Sequence, residues 1–272
     1  MNLRCRLPRP AIGIAVLVAT VSPTFVAAAP QAELWPRWEA HDPTNTERID
    51  HGRWQAFLDQ HLVTDHPSGV NRVDYAAVSA SDRALLQRYI AAMESVPISS
   101  QSRDTQFAYW INLYNALTVE LVLEHYPIDS IRDIRDPWDQ VVAEIEGVGV
   151  TLNDIEHRII RPIWMDERIH YVVNCASYGC PNLQREALTA DNFESILDAA
   201  ASEYVNHPRG ARFDGRRLTL SSVFQWYQED FGDDASDVLR HLVRYAEPGL
   251  AEQLRAYDGR IRYEYDWTLN NP

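Results

Sequence analysis

Residues 104–126 read DTQFAYWINLYNALTVELVLEHY, and this stretch decides the fold. Trp110, Tyr114, Leu117 and Leu121 recur at helical spacing, and Leu113, Val119, Val122 and Leu123 fill most of the remaining circumference. A helix that is apolar nearly all round is a buried helix. Pro127 follows and closes it. A chain that buries one long helix must surround it with other elements, so the flanking sequence is read for that wrapping.

On the N-terminal side, 54–62 reads as a short helix and 69–75 as a turn leading into a short strand. Leu85, Leu86, Tyr89, Ile90 and Met93 predict an amphipathic helix over 82–95, ended by Pro97. On the C-terminal side, IEGVGVTL (145–152) predicts a glycine-punctuated hairpin. LNDIEHRIIRPIW (152–164) predicts a helix of about two turns, with Asn153 as cap, Glu156 completing a capping box and Pro162 as its limit. IHYVVN (169–174) is rich in β-formers and predicts a central strand. Further helices are expected over 191–204, with Asp191 and Glu194 as a capping pair, and over 221–231 and 236–246. A hairpin is expected around Asp214-Gly215. Residues 261–267 alternate apolar and charged, the pattern of a half-buried strand. Long helices beside short hairpins, with no dividing linker, predict an α+β fold: one domain over 51–272, with a long buried central helix, surrounding helices and a small, mainly antiparallel sheet.

The first 28 residues predict a secretory leader. Arg4, Arg6 and Arg9 precede an apolar run at 11–21 that is too short to span a bilayer. Pro23 breaks the run, and Val26-Ala27-Ala28 offers small residues for a cut after Ala28. Residues 29–50, with Trp35, Pro36, Trp38 and Pro43, predict an extended lead-in. The expected compartment is periplasmic or extracellular, and no transmembrane segment is expected in the mature chain. The full chain has a formal charge of −14. Losing residues 1–28 removes three Arg and no acid, leaving 22 basic against 39 acidic residues, or −17. Such a surface repels phosphate backbones and anionic lipid, so a nucleic-acid partner is not expected.

Cys5 leaves with the leader, so Cys175 and Cys180 remain. In CASYGCP (175–181), Gly179 and Pro181 permit a tight loop, and an oxidising compartment makes a Cys175–Cys180 disulfide one expectation. The alternative makes Cys175 a nucleophile, which needs a base or a cation nearby. His170 and His157 are the candidate bases, and Glu156 a candidate orienting group. In a regular strand Cys175 shares a face with Ile169, Tyr171 and Val173, whereas His170 shares one with Val172 and Asn174. Direct contact of His170 with Cys175 therefore requires the strand to bulge or to end early. Glu156 as a simple capping partner is the other reading of that residue. Asn112 and Asn115 lie three apart on one helix face and either tie down loop backbone or line a polar binding pocket. Arg161 and Arg168 either pair with core acids or bind an anionic group. No set has a recognised metal-ligand spacing and no nucleotide fingerprint occurs, so neither a metal nor a cofactor is expected.

These segments resemble the bacterial, exported branch of the domain-of-unknown-function 547 family. The resemblance rests on NRVDYAAV (71–78), FAYWINLYNALTVELV (107–122), GVGVTLNDIEHRIIRP (147–162), RIHYVVNCASYGCPNL (168–183), LSSVFQWYQEDFG (220–232) and YEYDWTLN (263–270). It implies export and leaves activity open. In thiol enzymes of the papain and transglutaminase type, the nucleophilic Cys opens a long buried helix, whereas the long helix here carries Asn112 and Asn115 and no Cys. Two functional expectations follow. One is a thiol-dependent hydrolase or acyl transferase of the cell envelope, with Cys175 as nucleophile. The other is a non-catalytic envelope binding or assembly module, stapled by Cys175–Cys180, whose partner is an envelope ligand or protein.

Overall fold

A computed structural model describes residues 30–272; the expected leader lies outside them. Helix α1 (Gly52–His61) leads into β1 (Leu62–Val63), which pairs antiparallel with β2 (Arg72–Val73). Helix α2 (Ala80–Glu94) starts on a capping box in which Ser79 and Asp82 satisfy each other's main-chain N–H groups. It buries Leu86, Tyr89, Ile90 and Met93, while Leu85 stays exposed. Helix α3 (Arg103–His125) is the central element. Every residue from Thr105 to Val119 is buried, as the all-round apolar pattern requires.

Around α3 stand two hairpins and the remaining helices. Strands β3 (Val141–Ile145) and β4 (Val148–Thr151) pair antiparallel across Glu146-Gly147. A π-helical stretch (Asp154–Ile160) runs into α4 (Arg161–Trp164). Helix α5 (Phe193–Asn206) is followed by the hairpin β5 (Ala211–Asp214) and β6 (Arg217–Ser221). Then come α6 (Val223–Trp226), α7 (Gln228–Phe231), α8 (Ala235–Tyr245) and α9 (Pro248–Arg255). The last strand, β7 (Arg262–Glu264), joins β6 in parallel. The architecture is α+β, with three small sheets among the described residues in place of one. A single core cluster extends from Trp38 to Leu269. Among the described residues no helix is long and apolar enough to cross a membrane.

Several local expectations are corrected. Residues 169–174 form no strand: a 3-10 turn covers Glu167–Tyr171. Three residues per turn aim successive side chains in three directions, where a strand offers two. Ile169 enters the core, His170 meets Asp230, and the Tyr171 hydroxyl meets His241. The backbone partner that a neighbouring strand would supply comes from a side chain. Asn115 donates to the Val172 carbonyl (2.9 Å) and accepts from the Asn174 N–H (2.8 Å).

The helix starting near Leu152 does not stop at Pro162. Its middle widens to i→i−5 bonding, so the Arg161 N–H reaches the Glu156 carbonyl. Pro162 has no N–H to give the Arg158 carbonyl, and its ring would crowd that carbonyl in an α-helix. The wider turn frees the carbonyls of His157 and Arg158, which accept from Glu33 and Trp35 at 2.9 Å each. The lead-in thus lies along the helix as a strap. Asn153 makes no cap here; Thr151 and Asp154 bond each other two residues earlier.

The expected Asp191–Glu194 cap is also replaced. Asp191 pairs with Arg48 and Glu194 with Arg168, while Asn192 closes the turn before α5 by accepting from Thr189 N–H. The expected helix over 221–231 is broken into α6 and α7, and the expected strand over 261–267 is confined to β7.

Candidate functional site

The π-helical turn places Glu156, His157 and Arg161 on the side of the core occupied by the 167–171 turn and α7. Arg161 is the hub, its side chain 1 % exposed. Its Nε and Nη2 donate to the two oxygens of Asp230 (2.6 and 3.1 Å), and Nη2 also donates to Glu229 (2.8 Å). Its Nη1 donates to the Pro30 carbonyl (2.7 Å) and to His157 Nδ1 (3.0 Å). His157 Nδ1 is therefore an acceptor, which leaves the ring proton on Nε2. His170 Nε2 donates to Asp230 Oδ2 (2.6 Å), and its ring stacks on Tyr227 at 4.1 Å. Glu156, fully buried, accepts from the Tyr114 hydroxyl (2.8 Å).

The electrostatics of this cluster follow from its pairing. Burial works against the charge of Asp230, but hydrogen bonds from His170 and Arg161 outweigh it and hold the carboxyl down to about 2. Burial likewise opposes Glu156, and the Tyr114 hydroxyl together with the nearby Arg161 still keeps it below the usual carboxylate range. Burial pushes His157 down, against the pull of Glu156, so the imidazole is held neutral. The buried Arg161 meets Asp230 and Glu229, the condition under which a buried ion cluster is tolerated.

Cys175 stands apart from that cluster. It is joined to Cys180 in a disulfide, with Cα atoms 6.3 Å apart. The neighbours of the sulfurs are hydroxyls and main chain rather than imidazoles. The Tyr265 hydroxyl lies 3.1 Å from Cys175 Sγ, 3.2 Å from Cys180 Sγ and 2.8 Å from Ser177 Oγ. The Cys175 N–H donates to Cys180 Sγ (2.9 Å). Tyr265 borders both regions: burial first, then Tyr204 and the field of Glu156, push its hydroxyl far up.

The loop closed by the disulfide is held against the C-terminal segment. Tyr178 N–H donates to Thr268 (2.7 Å), Gly179 N–H to Asp266 (2.8 Å), and Tyr204 hydroxyl to the Gly179 carbonyl (2.7 Å). A Cβ on Gly179 would come within 2.9 Å of the Asp266 N and O atoms, so the close approach requires glycine.

The structure thus brings together four of the expected residues, Glu156, His157, Arg161 and His170, and puts Cys175 with Cys180. Asn112 clamps Leu188, donating to its carbonyl (2.8 Å) and accepting from its N–H (3.0 Å). Both helix asparagines therefore tie down loop backbone. Glu156 is a core carboxylate on Tyr114 rather than a capping partner. Arg168 pairs with Asp166, Glu194 and Asp198. Sequence reasoning missed Asp230, Tyr114, Tyr227 and Tyr265. Asp230 and Tyr265 stand in the matching segments LSSVFQWYQEDFG and YEYDWTLN, but nothing local marks them as partners of His170 or Cys175. Among the described residues no group of three or more His, Cys, Asp and Glu side chains is arranged to hold a metal ion.

Residues 98–205 match the model of a family described as "Protein of unknown function, DUF547". Over those residues the chain is similar to that family. The match takes in Asn112, Asn115, the π-helical turn, His170 and both cysteines, and stops short of Asp230 and Tyr265. No curated protein matches. No solved structure matches.

Proposed function

We infer that this protein is an exported binding or assembly module in which the Cys175–Cys180 disulfide staples a recognition loop. The disulfide is the observation that carries the reading. Disulfides persist in oxidising compartments, in agreement with the leader expected at residues 1–28. A thiol nucleophile needs a base or a cation beside a free sulfur. Here each sulfur is bonded to the other, and Tyr265 and Ser177 are their hydroxyl neighbours. His157 and His170 are engaged by Arg161 and Asp230. The same disulfide closes a short loop against rigid main chain, and a preformed wall is what a binding site needs.

The test is intact-mass analysis of the mature, exported protein after alkylation, with and without reductant. The expected result is a chain beginning at Ala29 with no alkylated Cys until reduction, and two afterwards. Two alkylated thiols before reduction would sink the module reading and put Cys175 forward as the nucleophile of a hydrolase or acyl transferase. One of the two labels placed by a thiol-reactive probe would then be lost in Cys175→Ser.

A further inference from the structure

A cleft of about 740 Å³ opens beside the disulfide-closed loop, and Tyr178, Gly179, Arg209, Asp129, Asp266 and Trp267 are among its walls. Arg209 is the unusual member. In a chain of net charge −14, the deeply placed Arg161 binds two acids, yet no carboxylate lies within ion-pair distance of Arg209 among the described residues. Its Nη2 donates to Asn182 Oδ1 (2.7 Å), and its Nη1 makes a long contact with the Tyr178 carbonyl (3.4 Å). Its Nε is buried without a partner. The nearby acid Glu203 is taken by Asn182 Nδ2 (2.7 Å). Among the described residues Arg72 has no acid partner either. It lies over the Tyr178 ring at 4.8 Å, and its Nε is likewise buried and unpartnered. Two acid-free guanidiniums therefore flank one residue of the stapled loop.

A largely desolvated cation with spare donors is costly unless an anion arrives, and guanidinium geometry fits a carboxylate. The rest of the cleft narrows the class. Asp129 and Asp266 are exposed on its walls. They repel a phosphate dianion and attract an ammonium group. Trp267 adds an apolar face to the same wall.

We propose that this cleft binds a zwitterionic ligand of the amino-acid or short-peptide class, with the carboxylate at Arg209 and the ammonium group toward Asp129 and Asp266. This deepens the module reading and rests on it, because Tyr178 and Gly179 belong to the loop that the disulfide closes.

The experiment is calorimetric titration of the mature, oxidised protein with alanyl-alanine, its C-terminal amide, its N-acetyl form and inorganic phosphate. Alanyl-alanine should saturate one site, and blocking either end should weaken it. Arg209→Gln should weaken the dipeptide roughly ten- to hundredfold, the cost of a charge-assisted contact. Asp129→Asn, at an exposed position, should weaken the dipeptide while leaving the N-acetyl form unchanged, and it serves if Arg209→Gln does not fold. Equal binding of the dipeptide and its amide, binding of phosphate in its place, or no saturation by any probe would each overturn the proposal. Failure here with the disulfide intact removes this ligand class and leaves the module reading standing. Free thiols in the oxidised protein remove the module reading whatever the dipeptide does.

Discussion

Two arginines, Arg161 and Arg209, both sit largely inside the protein, yet their surroundings are opposites. Arg161 is closed on every side: it grips Asp230, Glu229, His157 and the Pro30 carbonyl. Among the described residues Arg209 meets neutral groups, Asn182, the Tyr178 carbonyl and the Tyr204 ring. The first arrangement fixes structure, because each charge would be costly without the others. The second is incomplete, and an incomplete electrostatic site beside a cleft is where a ligand gains most. The difference teaches that burial of a cation does not by itself identify function; the presence or absence of its counter-charge does.

The strongest break of this comparison is Arg161→Met. It leaves Asp230 and Glu156 partly uncompensated in the interior and should cost on the order of 3–5 kcal/mol in denaturant unfolding. A cost below about 1 kcal/mol would mean that the cluster is not the structural lock described. Next comes the staple. Replacing both Cys175 and Cys180 by Ser should cost roughly 2 kcal/mol, as loop-closure entropy gives for so short a loop. The far-UV spectrum should be unchanged, since the loop carries no regular structure.

Acid titration of stability gives a smaller effect with a definite sign. The Asp230 carboxyl is held at about 2, below its ordinary 3.8. Its contribution is therefore fully present above pH ~4 and is lost as pH falls from ~4 toward ~2. The side chain is 20 % exposed, so the amount is discounted for solvent screening to on the order of 1–2 kcal/mol. Asp230→Asn should abolish this step. Buried His51, held down to about 4 chiefly by burial, contributes a separate loss at higher pH, between 6.5 and 4, because the unfolded chain takes up the proton first. The smallest effect belongs to Arg209→Gln, which leaves no acid stranded. Its stability should change by about 1 kcal/mol or less, from two contacts to neutral acceptors. If it destabilised as much as Arg161→Met, the contrast between the two arginines would fail.

The sequence pattern carried the helices well. The all-round apolar stripe of α3 and the period of α2 are local signals, and each element formed where its signal lies, whereas the hairpin expected over 145–152 takes its first strand from Val141–Ile145. It carried the 169–174 run badly. β-formers flanked by turns fit a strand as readily as a buried turn, and the choice fell to Asn115, which supplies from α3 the hydrogen bonds that a neighbouring strand would have given. The candidate site was half legible. Glu156, His157 and Arg161 are one to five residues apart and had to fall close together on one helix. Asp230, 60 residues from His170, and Tyr265, 90 residues from Cys175, carry no mark of their partners.

By itself the sequence determined the α+β class, the buried central helix and the closeness of the two cysteines, because each depends on residues near one another in the chain. The tertiary structure decided which charges are paired and which are not. It set the histidines on Asp230 and Arg161 and left Arg209 without an acid. The physical reason is that compensation of a buried charge depends on distance and solvent exclusion in space, and neither is encoded in spacing along the chain.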